Sequence, residues 1–538
     1  MRQADIFSPP KIMKLSQLKV PALLLALSLA AAGAQTNSLQ LLPMTAGPFK
    51  PDDASLKQYQ CPEWFRDAKL GIWAVWGPES VPMQGDWYAR RLYQHDSTDQ
   101  NGKPAGPDAD NQYHVEHYGH PSKVGFKDII PFWKAEKWDP DRLMEAYQTA
   151  GAKYFCMIAM HHDNFDCWHS KYQPKWNSVN MGPKRDIAGE WQQAAVKHGL
   201  RFGMTEHLAA SWWFYSAAHS ADKTGPLAGV PYDGNDPHFS DLYWSGNENP
   251  SFHYYGTNVP FAYKQNWFNR IKDMVDRYHP DLLYSDSPLP YPEEAGRQLL
   301  AHYYNDNLAQ HGGKLEAVYN CKQSSEVRWV QDIERGVMDG IDPHPWQTDT
   351  CVGQWYYKNG IKYKSSATVI QMLADIVSKN GNLLLNFPLR PDGTLDADES
   401  KILSDLAAWT AVNGEAIFAT RPWKIYGEGP SKVASAGSFN EGKLEYTAGD
   451  IRFTQSKDEK HLYAIALGWP ADGKLVVKSL ATAAGTIHEL SLLGYAGKLD
   501  CRQTSEKLIV TLPPEKLGEA IFALKIVDDN LRPAAGGN

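Results

Sequence analysis

The sequence predicts an α/β protein: a (β/α)8 barrel of the TIM type followed by a C-terminal antiparallel β-sandwich. Three observations carry this expectation. The chain has 538 residues, more than one hydrophobic core usually organises, so two or more domains are expected. From about residue 61 to residue 414, short β-rich apolar runs alternate with longer amphipathic stretches, the pattern of βα units and a parallel sheet. After Pro422 the texture changes to short alternating runs punctuated by Gly, Asn and Asp, the pattern of antiparallel strands.

In the first region the apolar runs fall at residues 70–76, 154–160, 201–205, 282–286, 315–319 and 382–387. Helical patterns fall between them at 140–150, 187–198, 266–278 and 366–378. Asp139-Pro140 is a helix start and Gly151 a stop. Roughly 350 residues of such alternation fit a closed barrel with long βα loops. The alternative is a doubly wound open sheet, but neither a GxGxxG opening a helix nor a GxxxxGK[ST] is present. Residues 95–110 and 225–249, polar and rich in turn formers, read as excursions on one face of the barrel. In the second region strand runs are expected at 444–446, 451–455, 461–466, 474–478, 485–490, 507–511 and 520–526, with a frayed tail from 529. The expected domains are a signal peptide over 1–34, a catalytic barrel over 35–422 and a sandwich over 423–538.

Net charge is −8, which argues against a nucleic-acid partner. Nineteen Trp and 27 Tyr offer flat faces for stacking against sugar rings, or equally fill a large barrel's core. At the N-terminus Lys11 and Lys14 precede an apolar run from Val20 to Ala32, closed by Ala32-Gly33-Ala34. That is the pattern of a secretory signal peptide, with Met13 as an alternative start, and it implies export to the periplasm or beyond. The run is too short for a comfortable membrane span, and no other segment is apolar enough for one. The six cysteines show no CxxC spacing, so a cysteine zinc site is not expected and buried free thiols are the default.

The segment His279-Pro280-Asp281-Leu282-Leu283-Tyr284-Ser285-Asp286-Ser287 ends an apolar strand with an acid. Alternation sets Leu282, Tyr284 and Asp286 on one side. The C-terminal end of a barrel strand is where catalytic groups are presented; a cap or turn aspartate gives the same local pattern. His161-His162 follows the second strand run, where adjacent residues point to opposite faces, and HxxxH-type spacing is absent, so no metal is expected.

Several segments, in order, resemble one family. They are Trp64 through Trp73 with Trp76-Gly77; Gly85-Asp86-Trp87-Tyr88-Ala89-Arg90; Tyr154 through His161-His162-Asp163-Asn164-Phe165; Lys184-Arg185-Asp186-Ile187; Phe202-Gly203; the strand ending in Asp286; and Lys379-Asn380-Gly381-Asn382 through Asn386 with Asn413-Gly414-Glu415. Over residues 61–423 the chain resembles glycoside hydrolase family 29, the α-L-fucosidases. The resemblance implies a retaining exo-glycosidase acting on a fucosylated oligosaccharide or polysaccharide, with no cofactor, and it leaves the oligomeric state open. It makes Asp286 the nucleophile, and His161 and His162 ligands of sugar hydroxyls. Trp76, Asp86, Trp87 and Tyr88 are expected at the sugar, although Trp87 reads equally well as core. Glu334, in Gln331-Asp332-Ile333-Glu334-Arg335-Gly336 upstream of Pro345-Trp346-Gln347-Thr348, is the acid/base candidate, with Trp346 near the substrate. Glu206 and Glu326 are its rivals. Glu206-His207, at the end of the third strand, also invites substrate contact. Arg335 beside Glu334 lowers its pKa only if the guanidinium turns inward.

Three positions depart from the family's pattern. Val75-Trp76-Gly77 stands where many members have His-Trp-Gly, Asp86 stands where they have Glu, and Asn320-Cys321-Lys322 replaces Asn-Asp-Arg. A valine makes no hydrogen bond, and an unpaired sugar hydroxyl costs on the order of 1–3 kcal/mol. Two alternatives follow: an exo-glycosidase for a fucose-like sugar such as L-galactose, or a carbohydrate-binding protein with weakened turnover.

Overall fold

The computed structural model describes residues 41–98, 103–244, 259–432, 436–443, 445–516, 520–528 and 531–534. The expected signal peptide lies outside the described residues, as do parts of the 95–110 and 225–249 excursions and Leu444 of the 444–446 run.

Eight parallel strands close into a barrel: β1 (Leu70–Ala74), β2 (Tyr154–Met160), β3 (Arg201–Glu206), β4 (Leu282–Ser285), β5 (Val318–Cys321), β6 (Val330–Asp332), β7 (Trp346–Cys351) and β8 (Gly381–Asn386). Strand β1 pairs with both β2 and β8, which closes the ring. Helices α1 (Pro140–Thr149), α2 (Ile187–Lys197), α3 (Phe261–Tyr278), α4 (Arg297–Gln310) and α5 (Ser366–Ser378) precede β2, β3, β4, β5 and β8, and α6 (Ala397–Asn413) follows.

Local chemistry explains the elements. Asp139 caps α1 by accepting the Arg142 N–H at 3.1 Å, Pro140 occupies the first helical position, and Gly151 leaves the helix at φ 103°. Strand β2 is buried along its whole length, which is why its seven residues read as one apolar run. Strands β6 and β7 escaped the sequence reading for the opposite reason. Strand β7 carries Gln347, Thr348, Asp349 and Thr350, all buried, and no helix separates β5, β6 and β7. The polar side chains have a purpose inside the barrel. Tyr154 donates to Gln347 Oε1 at 3.0 Å, Gln347 donates to Asp332 Oδ1 at 3.0 Å, and the Tyr284 hydroxyl lies 3.1 Å from Asp349 Oδ2. A polar ladder thus rises through the barrel interior toward the C-terminal mouth.

The C-terminal region forms two antiparallel sheets. One has the order β9 (Thr420–Glu428), β10 (Ile451–Ser456), β11 (His461–Ala466), β16 (Phe522–Asp528), β13 (Ile487–Leu492); the other has β12 (Lys474–Val477), β15 (Leu508–Thr511), β14 (Asp500–Gln503). They enclose one core holding Phe453, Leu462 and Ala464 from the first sheet with Leu475, Val477 and Val510 from the second. Alternate residues Tyr463 and Ile465 of β11 join the barrel's core instead, so this strand is buried on both faces. Trp409 of α6 donates to the Ile521 carbonyl at 2.8 Å, and Arg452 of β10 pairs at 2.6 Å with Asp375 of α5. The tail differs from expectation. Leu531 and Ala534 are buried, and Arg532 and Ala534 donate backbone N–H groups to Ala484 and Ser479. All six cysteines are free thiols. No helix among the described residues is long and apolar enough to cross a membrane.

Candidate active site

The strand ends converge on a cavity of about 200 Å³ at the C-terminal mouth. Its walls are aromatic and apolar, from Trp73, Val75, Trp87, Trp355 and Phe439; its floor is polar and ionisable, from Asp86, His161, His162, His207, Asp286, Lys322, Glu334 and Asp349. Asp286 follows β4, and Lys322 follows β5 by one residue. The Lys322 ammonium is the hinge of this floor, because it contacts both Asp286 Oδ1 and Glu334 Oε2. The other oxygen of Asp286 faces two imidazoles, His207 Nδ1 at 3.1 Å and His162 Nε2 at 3.6 Å. The Tyr284 hydroxyl reaches Asp286 Oδ1 from below at 3.2 Å. His161 is held by Glu79 Oε1 at 2.6 Å and faces Asp86 at 3.6 Å.

These contacts separate the two carboxyl groups electrostatically. Burial alone would raise the pKa of Asp286, but Lys322, His207 and His162 outweigh it and hold the group well below the usual carboxylate range. Glu334 is pushed up to about 7, chiefly by burial and further by the neighbouring Asp349 and Asp286, with Lys322 opposing. Arg335 points away, into an ion pair with Glu441 at 2.7 Å, so it does not undo the shift. One carboxyl is therefore ionised and its neighbour protonated up to near-neutral pH, the division of labour an acid–nucleophile pair requires. Beneath them, Asp349 is raised well above the carboxylate range by burial and by Asp332, with which it shares a hydrogen bond.

Of the residues singled out from the sequence, Asp286, Glu334, His161, His162, Asp86, Trp87 and His207 come together here. The two histidines line the same cavity, against the opposite-face expectation, because β2 ends at Met160 and strand alternation does not extend past it. Trp87 reaches the wall through a left-handed backbone at φ 65°, after Gly85 at φ 93°.

Four residues do not line the cavity. Trp76 is buried between Trp133 and Trp138 and donates to the Arg390 carbonyl. Tyr88 is buried with its hydroxyl on His114 at 2.7 Å. Trp346 opens β7, at the opposite end of the barrel from the mouth, and donates to the Lys379 carbonyl. Glu206 lies behind the site, accepting from the Leu208 N–H and the Trp267 indole. The first three are aromatics whose large apolar faces went to the core, and Glu206 is tied down by donors from the element after its strand. Glu326 is exposed and pairs with Lys57. Sequence reasoning missed Glu79, Trp73, Asp349, Trp355 and Phe439 as site residues and treated Lys322 only as a departure. The signal for Lys322 was the β5 run, whose end lies two residues later than the run suggested. Phe439 belongs to a loop after β9 that returns to the mouth, where its N–H donates to the Glu334 carbonyl at 2.9 Å.

A parallel barrel opening on one ionised and one protonated carboxyl group, walled by aromatics, is the arrangement of a glycoside hydrolase. Two family models match the chain, Alpha-L-fucosidase over residues 38–415 and Alpha-L-fucosidase C-terminal domain over residues 445–527. The chain belongs to the α-L-fucosidase family. It is 27% identical over 533 residues to tissue alpha-L-fucosidase of Rattus norvegicus, covering 94% of this chain and 97% of the relative. To the Homo sapiens tissue enzyme it is 26% identical over 540 residues, covering 94% and 96%. Among solved structures it is similar to Thermotoga maritima alpha-fucosidase in complex with fucose, at 25% identity and a TM-score of 0.66, covering 89% of this chain and all of that one.

Proposed function

We propose that the protein removes terminal α-L-fucosyl residues from fucosylated glycans with retention of configuration, Asp286 attacking the anomeric carbon and Glu334 serving as acid and then base. The observation that supports this most directly is the single ammonium of Lys322 on both carboxyl groups. Two oxygens within hydrogen-bond reach of one nitrogen lie no more than about 6 Å apart. That is short of the ~6.5–9.5 Å that admits a water in inverting enzymes and compatible with the ~5–5.5 Å of retaining ones. In the first step Glu334 gives its proton to the glycosidic oxygen while Asp286 forms the ester to C1. Asp286 thereby loses its negative charge as Glu334 acquires one. Lys322 faces both, so the positive charge stays paired throughout. In the second step Glu334 takes a proton from water, which attacks C1 and releases Asp286. A cavity of about 200 Å³ is small beside the roughly 300–1,000 Å³ of drug-sized sites, which suits one terminal ring.

The test is hydrolysis of an aryl α-L-fucoside by wild type and by Asp286→Ala and Glu334→Ala. Loss of turnover in D286A, with azide rescue giving the inverted β-fucosyl azide, and restoration of E334A by azide with the retained α-fucosyl azide as product, are the expected results. Equal turnover in wild type and D286A would overturn the assignment. Export is a further part of this reading, supported by the basic, apolar and small-residue order of residues 11–34. Mature protein recovered outside the cytoplasm is expected to begin at Gln35.

A further inference from the structure

The floor of the cavity holds three imidazoles whose arrangement goes beyond hydroxyl recognition. One side-chain nitrogen each of His161, His162 and His207 lies within 4.8 Å of the others, and all three residues are buried. No sequence spacing announces the group, because it joins the turn after β2 to the residue after β3. We propose that His161 Nε2, His162 Nε2 and His207 Nδ1, with Asp286 Oδ2 as fourth ligand, form a site for a divalent transition metal such as zinc, and that its occupancy reversibly shuts the enzyme off.

The outer nitrogen of each ring is engaged in the way metal-bound histidines are oriented. His161 Nδ1 is on the Glu79 carboxyl at 2.6 Å. His162 Nδ1 donates to the His207 carbonyl at 2.8 Å, which fixes the tautomer and leaves the lone pair on Nε2, the atom 3.6 Å from Asp286 Oδ2. His207 Nε2 has the Thr205 hydroxyl at 3.4 Å, an acceptor for the proton that Nδ1 must give up to bind a metal. Lys322 contacts Oδ1 of Asp286, whereas the histidines face Oδ2, so lysine and metal do not compete for one oxygen. Three nitrogens and one carboxylate oxygen make a tetrahedral zinc set with bonds of about 2.0–2.1 Å. Such bonds put the nitrogens about 3.4 Å apart, so separations of up to 4.8 Å shorten by up to about 1.4 Å on binding. Asp286 held by a metal is not available as a nucleophile, and the ion occupies the place of the sugar's hydroxyls. The inhibitory consequence rests on the fucosidase reading; the metal site itself does not.

The experiment is calorimetric titration of the full chain, free of any polyhistidine tag, with Zn2+, together with the visible absorption spectrum of the Co2+ form. One zinc per chain, a tetrahedral cobalt spectrum, and binding about 100-fold weaker or worse in His207→Ala and 10–100-fold weaker in Glu79→Gln are expected. Should H207A fail to fold, E79Q and wild type in excess L-fucose supply the comparison, since fucose is expected to exclude the metal. Absence of binding up to about 1 mM zinc, or binding unchanged in both variants, would overturn the proposal. Calorimetry needs no turnover, so failure of the metal site and failure of the fucosidase reading are separate results.

Discussion

Replacing Lys322 with methionine keeps the apolar stem and removes the ammonium from between Asp286 and Glu334. Leaving a buried charge without its partner costs roughly 3–5 kcal/mol. The Lys322, Asp286 and Glu334 side chains keep 20%, 11% and 13% of their surface exposed, so water compensates part of the loss. The lower figure, about 3 kcal/mol, is the penalty expected for ionised Asp286 without its ammonium, which raises its pKa. The sign is the same at both groups. Asp286 must be ionised to attack and sets the acid limb of kcat/KM; without the ammonium its pKa rises, so that limb moves to higher pH. Glu334 must be protonated and sets the basic limb, near 7 in the wild type; Lys322 lowers its pKa, so removing the lysine moves that limb upward too. The whole profile therefore shifts to alkaline pH. Lys322→Arg keeps the charge and is expected to return the profile toward wild type. The assay is kcat/KM for an aryl α-L-fucoside between pH 3.5 and 9, with the Tm of each variant recorded alongside. An acid limb that stays put in K322M, or a profile displaced to lower pH, would refute the reasoning.

Three further outcomes follow from where the structure puts particular side chains. Trp76→Ala empties a site packed against Trp133 and Trp138, so a stability loss of roughly 3–5 kcal/mol in denaturant unfolding is expected, with KM unchanged in protein that remains folded. Phe439 is 63% exposed at the rim, so Phe439→Ala is expected to shift stability by less than about 0.5 kcal/mol. Its effect should appear as a raised KM for substrates with apolar aglycones, measured against alkyl and aryl fucosides. Asp375→Ala strips the partner from both Arg452 and Lys379 in a buried cluster between barrel and sandwich, so unfolding stability is expected to fall by roughly 3–5 kcal/mol.

The sequence by itself determined the alternation of the barrel, the change to antiparallel strands after Pro422, and the acid at the end of β4. These are one-dimensional signals: a fully buried parallel strand must be apolar along its length, as β2 is, and a helix start needs its cap, as Asp139 provides. The same rule hid β6 and β7, because a strand that lines a polar interior carries Gln347 and Asp349 where an apolar run was sought. The tertiary structure alone decided which residues meet. Closing the ring brought Asp286 from β4, Lys322 from β5 and Glu334 from the loop after β6 into one ion cluster, although no local pattern relates them. It gathered His161, His162 and His207 from two strand ends, and sent Trp76, Tyr88 and Trp346 into the core. An aromatic side chain satisfies the apolar pattern equally well against protein or against sugar. Which of the two it meets depends on the side of the closed barrel its Cβ faces, and on the end of the strand it occupies.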